Sequence, residues 1–343
     1  MNNLRSMIAA ALVAAGTLVA GEASAQTTLR VANWLPPTHP LIQDIVKVWT
    51  RNVEEATQGR VKMQVLDAPL GPPPAHFDFA VNGVADVTYG VHNYTPGRFP
   101  TTELAELPFL SDSSRDLSVA YWRVYEKHLA KANEQRGVQV LGVFTHGPGH
   151  LYTTKREVGS IEDLKGLKIR IGGGISQEVA KAMGVVTVQA PSTQAYEILA
   201  QGVADGIQFP AESIAFFNLQ NVTKHGTLFP GGLYNVSFFV VMNQAKWNSL
   251  PDEDKKAILS VSGEKLARLA GEAWDRADAR GHESMKQAGV VEKPAPEALV
   301  TAVQKAVQPV VDRTLANIQA KGIDAKAAYE VLKAEVAAVK AGQ

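Results

Sequence analysis

The chain has 343 residues, 34 basic and 34 acidic side chains, a formal net charge of zero and no cysteine. The absence of thiols excludes disulfides, thiolate metal sites and cysteine nucleophiles. Balanced charge without a basic block excludes the electrostatic footprint of a nucleic-acid binder, and a chain of this length can build about two domains with cores large enough to stand without disulfides.

Residues 1–25 read as a signal peptide. Arg5 supplies the positive start, Met7 to Ala20 a short apolar stretch, and Ala23-Ser24-Ala25 a cleavage site before Gln26. Gly16 and Thr17 interrupt the apolar stretch, which is too short to span a membrane. With no cysteine to carry a lipid, the mature protein is expected to be soluble in the periplasm. The sequons at Asn93, Asn221 and Asn235 have no consequence on a bacterial export route.

After the cleavage site the pattern alternates. Thr28 to Ala32 reads as a strand, Leu41 to Thr57 as a helix, Val61 to Leu66 as a strand, and a Gly-Pro-Pro-Pro loop at 71–74 leads to a helix ending near Asn82. Gly83-Val84-Ala85-Asp86 then turns into the strand Val87 to Val91. The same order returns at Leu167 to Ile171 (strand), Ile175 to Met183 (helix), Val185 to Gln189 (strand) and Thr193 to Ala200 (helix). There Gly202-Val203-Ala204-Asp205 turns into Gly206 to Pro210. Strand–helix alternation indicates a mostly parallel sheet covered by helices, and the repeated tetrapeptide indicates two similar lobes.

Residues 138–154 and Tyr234 to Val241 read as strands crossing between the lobes, with a hinge at His146-Gly147-Pro148-Gly149-His150. A long helical pattern runs from Pro251 to about Gln287. Pro294 and Pro296 interrupt it, and 297–340 are Ala/Val/Lys-rich helices. The division expected is 26–145 with 236–275 for lobe I and 146–235 with 276–343 for lobe II, an α/β class with crossing strands and a long interdomain helix.

Arg170 stands at the tip of a short apolar strand, followed by Gly172-Gly173-Gly174 and a helix start. A planar guanidinium beside free helix N–H groups suits a carboxylate. Ligands of open α/β sheets bind beyond the carboxyl ends of the strands. Trp34, Tyr89, His92, Asn93, Phe144, His146, Gly172, Phe209 and Asn235 fall at such tips or in the hinge, and complete the candidate substrate site. His146 and His150 lie four apart, but the Gly and Pro between them forbid a helix and no third ligand is near, so no metal is expected. No Gly-x-Ser-x-Gly elbow, GxGxxG or Walker spacing occurs, and no cofactor is expected.

On Gly97-Arg98-Phe99-Pro100, Glu106-Leu107-Pro108-Phe109-Leu110, the strand Leu164 to Arg170 and the run Pro191 to Pro210, the chain resembles the DctP-like substrate-binding proteins of TRAP transporters. The resemblance implies a periplasmic binding protein-like fold and an Arg170 salt bridge to a substrate carboxylate. It also implies delivery to the two subunits of a membrane permease, by a protein that is no enzyme and is expected to be a monomer. Alternatives are a ligand-sensing periplasmic protein and a periplasmic enzyme acting on organic acids, the latter lacking a convincing general base. Where the family often carries Asn or Ser followed by Pro, this chain has Gly172 to Gly174. Phe209 replaces a common Asn, and Gln208 a common Glu. Losing a donor at 209 points to a less polar monocarboxylate, aromatic or branched, rather than a sugar acid or C4-dicarboxylate.

Overall fold

In the computed structural model, residues 26–343 are described. The expected signal peptide, 1–25, lies outside the described residues. Strands β1 (Thr27–Val31), β2 (Val61–Val65) and β3 (Val87–Val91) are parallel. The sheet they form, in the order β2-β1-β3-β10-β4, is completed by β4 (Val138–Thr145) and β10 (Ser237–Asn243), which pairs antiparallel to both β3 and β4. The second sheet has the order β11-β9-β5-β8-β6-β7. Its strands are β5 (His150–Thr153), β6 (Lys168–Ile171), β7 (Val186–Gln189), β8 (Gly206–Phe209), β9 (His225–Leu228) and β11 (Val291–Pro294). Within it β6, β7 and β8 are parallel, and β5 runs antiparallel to β8 and β9. Leaving out β11, the two sheets share one order of strands and one pattern of directions.

The repeated tetrapeptide explains the likeness. Gly83 and Gly202 take left-handed φ of 69° and 70°, ending the helices α2 (His76–Val81) and α6 (Ala195–Ala200). Ala85 and Ala204 are buried while Val84 and Val203 are exposed. Asp86 Oδ2 accepts the Arg30 N–H at 2.7 Å, and Asp205 Oδ2 accepts the Lys168 N–H at 2.9 Å. Each aspartate thus ties its turn to the neighbouring strand, so that Arg30 corresponds to Lys168 and Ala32 to Arg170. The two lobes place different chemistry at one position of a shared frame.

Helix α1 (Lys47–Ala56) continues a π-helical turn, Leu41–Val46, and buries Trp49 and Val53 against the first sheet. Helix α3 (Ser114–Val124) follows a 3-10 segment, Pro100–Glu106. The second lobe carries α4 (Ile161–Leu164), α5 (Gly174–Ala182) and α7 (Ala211–Phe216). Short helices α8 (Gln244–Ser249) and α9 (Asp252–Ser260) precede α10 (Glu264–Gln287). The single helical pattern expected from Pro251 to Gln287 is therefore two helices. Gly263, at φ 61°, breaks it, and its N–H is bound by the Leu141 carbonyl at 2.8 Å.

The crossing strands pair at the hinge. Gly149 and Tyr234 form an antiparallel bridge, with the Gly149 N–H donating to the Tyr234 carbonyl at 2.9 Å. Helix α10 packs on α3 of the first lobe and α7 of the second. Helix α11 (Glu297–Gln319) likewise touches Pro100–Glu106 on one side and α5 on the other. The C-terminal helix α12 (Ala325–Lys340) lies within 276–343, the stretch expected in lobe II. It packs on α3 of lobe I, where Arg123 bridges Glu335 at 2.9 Å and Glu264 at 2.9 Å. Packing of its apolar stripe (Leu332, Val336, Val339) decides the placement, which composition alone does not encode. Among the described residues no helix is long and apolar enough to cross a membrane.

Candidate substrate-binding site

A space of about 520 Å³, mouth included, lies between the lobes at the carboxyl ends of the parallel strands. Strand tips of lobe I supply Trp34, Asn93 and Tyr94, and lobe II supplies Arg170, Gly172, Ser192, Phe209, Ser213 and Phe217. The crossing strands add His146, Tyr234, Val236 and Phe238, and α10 adds Trp274.

Arg170 is 1 % exposed. Its Nε and Nη2 both donate to the Ala190 carbonyl, at 3.1 and 2.5 Å, and its Cζ lies 4.4 Å from the centroid of the Phe209 ring. Among the described residues it has no carboxylate partner; the groups that act on its charge are the phenols Tyr94 and Tyr234. Burial pulls its pKa down, yet a guanidinium stays charged in proteins. A buried cation without a counter-charge costs several kcal/mol, which an entering anion would offset. Tyr94 Oη accepts the Ser192 N–H at 3.1 Å, which leaves its own proton to donate. Tyr234 Oη donates to the Gln208 carbonyl at 3.0 Å.

The glycines after Arg170 serve the approach of the two lobes. A side chain at Gly174, where φ is 56°, would meet Asn93 Cβ at 2.8 Å. One at Gly173, where φ is 126°, would meet Gln189 at 2.8 Å. Asn93 Nδ2 reaches Glu106 Oε2 at 3.4 Å, and Glu106 Oε1 accepts the Ser237 N–H at 3.0 Å. Burial pushes the Glu106 carboxyl up to about 8, so it is neutral at pH 7.

Ser213, Glu212 and His39 form a second polar group, with Ser213 and His39 on the cavity lining. By successive ring contacts from Arg170, Phe209 is followed by Phe217 at 6.0 Å, then His39 at 5.9 Å. Ser213 Oγ lies 2.7 Å from Glu212 Oε2, and Glu212 Oε1 lies 3.5 Å from His39 Nε2. That distance is one of an ion pair, but burial pushes His39 down to about 3 and Glu212 up to about 8. The contact joins a neutral imidazole to a carboxylic acid. His39 Nδ1 accepts the Leu41 N–H at 3.1 Å, so Nε2 carries the proton and points it at Glu212.

Of the residues expected from sequence, Trp34, Asn93, His146, Arg170, Gly172 and Phe209 line the cavity. Tyr89, His92, Phe144 and Asn235 do not: strand alternation turns His92 and Asn235 away, while Tyr89 and Phe144 lie one layer behind the lining residues Trp34 and Phe238. Tyr234, Val236 and Phe238 face the ligand space, so Asn235 points away. With its amide nitrogen turned to them, Asn235 donates to the His146 and Gly147 carbonyls at 3.2 and 3.1 Å. Val91 and Asn93 face inward, so His92 points away, between the Phe99 and Phe239 rings, with Nδ1 2.8 Å from Ser237 Oγ. Tyr89 sits behind Trp34 and donates to Asn33 Oδ1. Phe144 stacks behind Phe238 with centroids 5.2 Å apart. Tyr94, Trp274, Ser213 and His39 were not expected. Trp274, a lone aromatic in a charged helix, is the one of these that carried a sequence signal.

Comparison with known proteins decides the family. Residues 31–317 match the model for DctP, the bacterial extracellular solute-binding proteins of family 7. The chain belongs to that family. A TRAP periplasmic solute-binding protein from Bordetella bronchiseptica, solved with (R)- and (S)-mandelate, is 40 % identical. It covers 91 % of this chain and 99 % of its own, with a TM-score of 0.89. A marine metagenome TRAP solute-binding protein specific for aromatic acid ligands, bound to metahydroxyphenylacetate, is 29 % identical over 91 % of this chain and 99 % of its own, with a TM-score of 0.85. The protein named outer membrane transporter protein TsaT, from Comamonas testosteroni, is 30 % identical over 98 % of this chain and 99 % of its own. The α/β fold with its long interlobe helix is that of the TRAP solute-binding structures, and the family's role is the binding of solutes.

Proposed function

We propose that this protein captures an aromatic monocarboxylate in the periplasm, by closure of its two lobes, and hands it to a TRAP permease. The observation that carries the reading is Arg170, a buried cation with no acidic partner among the described residues, set in a cavity walled by aromatic rings. The carboxylate pairs with the guanidinium beyond the two donors held by the Ala190 carbonyl, and takes the Tyr94 hydroxyl hydrogen on its other oxygen. Trp34, Phe209, Phe238 and Trp274 enclose the ring. Exclusion of water lowers the local dielectric and strengthens the ion pair. The mandelate and aromatic-acid ligands of the two related structures support the same class. Export with cleavage after Ala25, a monomeric state and the absence of turnover complete the reading.

A thermal-shift panel tests it. Because ligand binds the folded state, the melting temperature rises with the concentration of benzoate, phenylacetate or mandelate, by several degrees at saturating ligand. Stabilisation by succinate or glucuronate alone would contradict the aromatic class.

A further inference from the structure

The cavity has a second polar end, and the reading of Arg170 as the carboxylate clamp leaves it unused. Ser213 lines the cavity on the first turn of α7, and its hydroxyl is bonded to Glu212. The Glu212 N–H donates to Asp278 Oδ1 at 2.8 Å, which fixes that turn against the interlobe helix. Glu212 Oε1 has no hydrogen-bond partner although the residue is 2 % exposed, and faces only the His39 Nε2–H. The polar atom that this group presents to the cavity is the Ser213 hydroxyl, and a hydroxyl in an apolar wall is costly unless a ligand satisfies it.

We infer that Ser213, backed by Glu212 and His39, recognises a hydroxyl group on the ligand's aromatic ring, at the end remote from the carboxylate. The inference rests on Arg170 holding that carboxylate. Contacts from Arg170 to Phe209, from Phe209 to Phe217 and from Phe217 to His39 connect the carboxylate end to this polar group through two of the rings that wall the cavity, so the group that meets Ser213 is carried on the ligand's ring. The Ser213 hydroxyl, bonded to Glu212 Oε2, keeps a further hydrogen-bonding position for a hydroxyl on the ligand, and a methyl or a bare ring edge leaves that position unused.

Isothermal titration of wild type and Ser213→Ala with phenylacetate, 3-hydroxyphenylacetate and mandelate tests this. The expected result is wild-type preference for 3-hydroxyphenylacetate over phenylacetate by roughly tenfold, falling to about one in Ser213→Ala. A wild-type ratio near one would overturn the inference, as would a preference that survives in Ser213→Ala or is matched by mandelate. In each case the Arg170 reading would stand. If wild type bound none of the three acids, the clamp itself would fail, and the inference with it.

Discussion

Two of the three guanidinium nitrogens of Arg170 are tied to one backbone carbonyl, so the side chain enters the cavity already oriented and a ligand need not order it. Phe209 lies under the guanidinium, a contact worth about 1–2 kcal/mol when desolvated. Phe209→Asn should therefore weaken binding of aromatic acids about tenfold and improve that of more polar acids. Titration calorimetry with benzoate and glucuronate reads both changes. Arg170 was legible in the sequence because a charged residue at an apolar strand tip before three glycines is a rare combination. The face of the crossing strand was not: Phe238 to Val241 are apolar on both faces, so the sequence did not choose between Asn235 and its neighbours Tyr234 and Val236. Only pairing against β4 and β3 fixed which side meets the ligand.

Among the elements, α10 is the part both lobes share. Asp275 and Asp278, three residues apart on one helix face, each hold the start of a helix from a different lobe. Asp275 accepts the Ser114 N–H at 2.6 Å and the Ser113 hydroxyl at 2.7 Å, and Asp278 accepts the Glu212 N–H. Gly271 and Gly281 flank the pair; a side chain at either would run into the Arg115 or Ala211 backbone. Asp275→Ala should lower stability by about 1–2 kcal/mol, measured by denaturant melts, through loss of the α3 cap. Gly281→Val should do more, since backbone stands where the new side chain must go. The parallel strands and their helices were legible because periodicity and the Gly-Val-Ala-Asp turns are local signals. The seat of α12 on lobe I and the break at Gly263 depend on distant partners, α3 and Leu141, that no local pattern names.

Over the whole molecule, many titratable groups are buried neutral. Burial pushes His39, His76, His92, His146 and His150 down to between about 3 and about 4. It pushes Glu106 and Glu212 up to about 8, and Glu103 and Asp278 to about 7. Below pH 6.5 the unfolded chain takes up histidine protons that the folded chain does not, which favours folding as pH rises. The raised carboxyls act oppositely: their stabilisation is complete below pH 4.5 and is lost as pH rises through 7 to 8. The two sets largely cancel between pH 4.5 and 6.5. Above that only the carboxyls continue, joined by His282, which Glu292 raises. The melting temperature of the ligand-free protein should fall between pH 6.5 and 8, and Glu212→Gln should flatten that slope. A melting temperature that rises over this window would contradict the protonation states assigned to the cleft.

The central claim is that Arg170 holds the ligand's carboxylate inside the closed cleft. Isothermal titration of benzoate into wild type, Arg170→Ala and Arg170→Lys tests it most directly. A loss of about 3–5 kcal/mol in Arg170→Ala is predicted, with partial recovery in Arg170→Lys, which restores the charge without the paired donors. Binding of benzoate by a folded Arg170→Ala protein as tightly as by wild type would contradict the account.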